Sequence, residues 1–113
     1  MQNACGVKVT KVLVIVTSKE KEKINLALNF AKHQKSDGHE VRMLLFGPSE
    51  ETVSKDEGLL KTFSEVSDIK PMACIYIAHE AKIEDQLKQS FGLLPAGKYI
   101  TSAIDEGYSV ISF

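Results

Sequence analysis

Cys74 is the residue whose type and position best suit chemistry. It closes the apolar run Met72-Ala73-Cys74, at a place where a strand ends, and is followed by His79 and Lys82. A thiol at a strand end that faces the amino end of a helix has its thiolate favoured. The thiolate is the nucleophile in exchange with disulfides and persulfides. His79 is a candidate for electrostatic support of that thiolate, and Lys82 would add to the same field. The same cysteine also has a purely structural reading, since free Cys is among the most buried residue types and packs as a small hydrophobe. Cys5, in a short polar stretch at the amino end, is either an exposed bystander or a resolving thiol.

Other constellations are plainer. Thr17-Ser18-Lys19 and Gly47-Pro48-Ser49 follow strand-like runs and open helical ones, so their backbone N–H groups could hold a small anion or a nucleotide phosphate. Neither segment is glycine-rich, and neither GxxxxGK[ST] nor GxGxxG occurs. Capping by Thr17 and Ser49 is the simpler role. Glu50-Glu51, Glu84-Asp85 and Asp105-Glu106 are neighbours that point in different directions on a helix, which reads as solvated surface. His33 and His39 read as surface residues, while Tyr76 and Tyr99 either line a cleft near Cys74 or belong to the core. Three histidines and two cysteines, scattered and without CxxC, give no reason to expect a metal, and no cofactor motif is present. Lys19, Lys21 and Lys23 form a basic cluster whose field is weakened by Glu20 and Glu22 between them.

Fourteen basic against fifteen acidic residues leave a net charge of −1, so there is no positive excess to neutralise phosphates. That argues against a nucleic-acid partner and against an anionic membrane surface. No apolar run approaches the roughly 20 residues needed to cross a bilayer. Val12–Val16, at five residues, is also too short for the core of a signal peptide. The expectation is a cytoplasmic protein, in a compartment where free thiols stay reduced.

The positioning elements follow from periodicity. Residues 1–8 read as a tail and 9–113 as a single domain. Val9–Val16 is rich in β-branched residues and apolar on both faces, which places it inside a parallel sheet. Thr17 and Glu20 have capping-box spacing, ahead of a helix with Ile24, Ala27, Leu28 and Ala31 on one stripe. Gly38 ends that helix, and Glu40–Phe46 is a second strand broken by Gly47-Pro48. Ser49 is expected to cap a charged helical segment to Glu57, which Gly58 interrupts before Leu59, Leu60, Phe63 and Val66 resume. A third strand lies within 69–77, and the spacing of Ile83, Leu87 and Phe91 predicts a helix over 80–91. Leu93-Leu94 makes at best a very short strand, Tyr99–Ile104 a last helix stopped by Gly107, and Tyr108–Phe113 a final strand. Strands alternating with helices predict a three-layer α/β/α sandwich with a mainly parallel sheet of four or five strands.

Taken in order, Lys11–Thr17, Leu26–Ala31, Gly38–Gly47, Met72-Ala73-Cys74 and Gly107–Phe113 resemble the DsrE/DsrF-like family of small sulfur-relay proteins. The resemblance runs over nearly the whole chain from about Val9. It implies the same three-layer sandwich, assembled as trimers or hexamers. It also implies that Cys74 accepts sulfur from a protein donor as a persulfide and passes it to a protein acceptor. Two other functions remain on the same residues: a non-catalytic oligomeric binding or assembly module with Cys74 buried, and a small-anion or nucleotide binder at the carboxyl ends of the strands.

Overall fold

Lys11–Val16 forms a strand (β1) that is buried from Val12 onward, as its unbroken aliphatic sequence requires of a strand covered on both faces. The computed structural model describes residues 9–113; the tail over 1–8, and Cys5 with it, lies outside the described residues. Five parallel strands make one sheet: β1, β2 (Glu40–Leu45), β3 (Met72–Cys74), β4 (Gly92–Leu94) and β5 (Ser109–Ser112), in the order β4-β3-β2-β1-β5. β1 is therefore bonded on both sides, to β2 and to β5.

Strand alternation divides the interior in two. Val14, Val16, Met43 and Leu45 face one layer, where they meet Ile24, Leu28 and Ala31 of α1 (Lys21–Ser36) and Leu59 and Phe63 of α3 (Glu57–Glu65). Leu13, Ile15, Leu44 and Cys74 face the other, under Ala96 and Ala103 of α6 (Ala96–Asp105). The short helices α2 (Ser49–Ser54), α4 (Ile75–Ala81) and α5 (Glu84–Leu87) pack against one another at the carboxyl side of β2 and β3. The fold is α/β with an all-parallel sheet, and both faces carry helices.

Several local expectations are corrected. No capping box forms at Thr17: α1 starts at Lys21 after Glu20, and the Thr17 hydroxyl donates to the Phe113 carbonyl at 3.1 Å. Ser49 does not cap α2, because it lies inside the helix and its hydroxyl donates to the Val16 carbonyl at 2.5 Å. Both hydroxyls bind strand ends to their neighbours. The break between α2 and α3 falls at Lys55-Asp56 rather than at Gly58, since the Asp56 carboxylate accepts from the Leu59 N–H at 3.0 Å and starts α3 one residue ahead of the glycine.

The single helix expected over 80–91 is two. Ile83, Leu87 and Phe91 are all buried, so the stripe is real, but the chain turns at Lys82. There Lys82 N–H donates to His79 and Ile83 N–H to the Ala78 carbonyl, a pattern that needs a left-handed residue just past the helix end. Lys82 adopts φ 58° at that position, where glycine usually sits. Lys82→Gly is expected to stabilise the protein by about 0.5–1 kcal/mol, read as a higher urea midpoint; an unchanged or lower midpoint would show that the turn carries no strain.

Candidate functional site

The β2–β3 ladder stops at Leu45↔Ala73, while β3 and β4 stay paired one residue further, at Cys74↔Leu94. At this fork the chain leaves β2 through Gly47, whose φ of 117° is open to glycine alone without strain, and turns at once into α2. It leaves β3 through Cys74, which is extended at φ −70° and ψ 121° and directly precedes α4.

The Cys74 side chain lies on the α6 side of the sheet and is 3% exposed, clustered with Leu44, Ala96 and other apolar groups. His79 is not brought to it. The His79 side chain is 78% exposed, and its Nδ1 lies 3.3 Å from Glu84 Oε1. Tyr76 is 67% exposed on the first turn of α4. Tyr99 is half-buried and turns toward Arg42 in a cleft of about 660 Å³ beside the amino ends of β2 and β3. Arg42 is fixed there by Glu106 at 2.8 Å and by the Tyr108 ring at 4.3 Å, and its guanidinium holds the Glu106 carboxyl below the usual carboxylate range.

The other group at the fork is Glu50, which is 0% exposed. It shares the inward face of α2 with Val53 and Ser54, while its neighbour Glu51 is exposed and lies 3.8 Å from Lys55. Neither Glu50 carboxyl oxygen has a hydrogen-bond partner. Burial pushes the carboxyl up to about 7, against the pull of the Gly47 and Cys74 backbone N–H groups, which favour its charge without completing a hydrogen bond. The reading of Glu50-Glu51 as one solvated pair is thus corrected for Glu50. A signal was present: Val53 is the lone large apolar residue between Ser49 and Gly58, and a helix that buries Val53 also buries the position three residues before it.

Three of the strand-end amides considered for an anion, those of Thr17, Ser18 and Ser49, are engaged within the chain. Thr17 and Ser18 N–H both donate to the Phe113 carbonyl, at 2.9 and 3.3 Å, and Ser49 N–H donates to Thr17 at 3.1 Å. Two lysines of the basic cluster also have partners, Lys21 with Asp56 at 2.9 Å and Lys23 with Glu20 at 3.7 Å. Among the described residues, no three His, Cys, Asp or Glu side chains gather at one point, and no helix is long and apolar enough to cross a membrane.

No protein-family model matches the sequence, and no curated protein matches it. Among the solved structures that share the fold are two proteins of unknown function. The conserved protein of unknown function BT1422 from Bacteroides thetaiotaomicron superposes with a TM-score of 0.77 at 20% identity, over 91% of this chain and 95% of its own. The protein of unknown function MTH1491 from Methanobacterium thermoautotrophicum gives a TM-score of 0.74 at 14% identity, over 92% of this chain and 99% of its own.

Glu50 makes stability depend on pH. Its folded form binds a proton more tightly than an unfolded carboxyl does, so the stability it contributes is complete below about pH 4.5 and is lost as pH rises through about 7. Glu50→Gln removes that loss. The variant's unfolding free energy relative to the wild type should rise by up to about 3 kcal/mol between pH 4.5 and pH 8 in urea titrations. A difference that does not change with pH would mean that Glu50 titrates in the folded protein as it does in the unfolded chain.

Proposed function

We propose that this chain is a sulfur-relay protein that carries sulfur as a persulfide on Cys74 and delivers it to a protein partner. The observation that carries the reading is the position of Cys74 as the last residue of β3, at the carboxyl edge of an all-parallel sheet, where open α/β sheets hold reactive groups. In the transfer, the Cys74 thiolate attacks the outer sulfur of a donor persulfide. A new S–S bond forms, the donor's S–S bond breaks, and the donor leaves as a thiolate with the electron pair; no net oxidation occurs. The reverse sequence hands the outer sulfur to an acceptor thiolate. Burial suits storage, because a persulfide shielded from water is also shielded from small thiols that would reduce it.

Self-association fits the same reading. Among the described residues β5 pairs only with β1, and Val110 and Ile111 stand exposed on that edge strand, with Ile104 exposed on α6, the helix before it. These groups support a homo-oligomer; a trimer or a hexamer is what the family resemblance implies. The low exposure of Cys74 favours a second reading, an assembly module on the same fold in which the thiol is core and carries nothing.

Intact mass measurement separates the two. After incubation with inorganic polysulfide and removal of excess reagent, the folded chain bearing Cys5→Ser should gain one sulfur, the same chain with Cys74→Ser added should gain none, and a reductant should remove the addition. No gain on Cys74 in the native protein would leave the assembly module as the function.

A further inference from the structure

We infer that Glu50 controls access to Cys74: ionisation of its buried, unpartnered carboxyl loosens the contact between α2 and α4 and uncovers the thiol. The inference rests on the sulfur-carrier reading and supplies what that reading needs, a route by which a covered thiol meets a partner.

The two groups share one junction from opposite sides. Glu50 faces the backbone N–H of Cys74, while the Cys74 side chain points into the α6 layer. The thiol lies under Ala96 and Ala103 of α6, and α4 closes the remaining side of the junction, sending Ile77 to the thiol's side of the sheet and Ala78 to the other. α2 and α4 are in contact, and at six and seven residues both are too short to be stable alone. α4 also ends on the strained left-handed Lys82. Low local stability with few buried contacts is the condition for a segment to open by itself.

Charged groups surround α2 on every element packed against it. The elements packed on α2 carry Glu57, Lys61 and Glu65 on α3, His79 and Glu80 on α4, and Glu84 and Asp85 on α5. Burial raises the carboxyl against the pull of the Gly47 and Cys74 amides. Opening returns Glu50 to water and to its ordinary range near 4.5, so each pH unit between there and about 7 favours the open form tenfold, to a total of about 300-fold.

The test is the rate at which iodoacetamide alkylates Cys74 in the full chain bearing Cys5→Ser, followed from pH 5 to pH 8. A thiol's own reactivity rises about tenfold per unit below its titration. With Glu50 in control, the wild-type rate rises about a hundredfold per unit up to pH 7 and about tenfold above it. Glu50→Gln should rise about tenfold throughout, and Glu50→Met serves if the glutamine variant does not fold. A wild-type profile without a break, or a break that survives in a folded Glu50 variant, overturns the inference and leaves the carrier reading standing. A Cys74 that reacts only when the protein unfolds overturns both.

Discussion

A carboxyl group without a hydrogen-bond partner inside a protein costs several kcal/mol to ionise, and Glu50 places that cost where β2 and β3 part. Two features converge on the point. Gly47 turns the chain out of β2, Ser49 anchors the start of α2 on the carbonyl of Val16, and the two together drive the next side chain inward. The anchoring hydroxyl and the strand-end amides leave α2 little freedom to rotate Glu50 out to solvent. Relief comes from separating α2 from what covers it, and α4 is part of that cover.

β3 transmits this to the other side of the sheet. It is three residues long, and strand alternation sends Ala73 to the α1 and α3 layer and Cys74 to the α6 layer. A charge on one face therefore sits one peptide away from a thiol on the other. The remainder of the sheet is held independently: β1 is paired on both sides, and Arg42, Glu106 and Tyr108 tie the amino end of β2 to the β5 side through an ion pair and a stacked ring. The carboxyl end at β3 can loosen while that frame persists.

The sheet was legible in the sequence because its strands are aliphatic and its helices punctuate them. Val12–Val16 announced an inner strand, Gly38 and Gly107 announced helix ends and adopt φ of 92° and 93°, and Leu93-Leu94 lies in a strand of three residues. The region around the site was less legible because tertiary geometry overrode local signals there. Ile75-Tyr76-Ile77 has the composition of a strand but forms the first turn of α4, since β3 is bounded by β2 and β4, both of which end beside it. Cys74 was identified as the residue of interest, yet its burial depends on α6, a helix more than twenty residues further on. Glu50 looked like half of an acidic pair because composition reports charge and not the direction in which a helix turns it.

Whether the segment over Cys74 opens by itself is the point on which the function turns, and native-state thiol labelling in urea measures it directly. Cys74, as the single thiol in a Cys5→Ser background, would be alkylated at fixed pH across urea concentrations below the unfolding transition. Local opening exposes little new surface, so its rate should be nearly independent of urea in that range. A rate that climbs with urea in step with global unfolding would contradict local opening and make Cys74 a residue of the core.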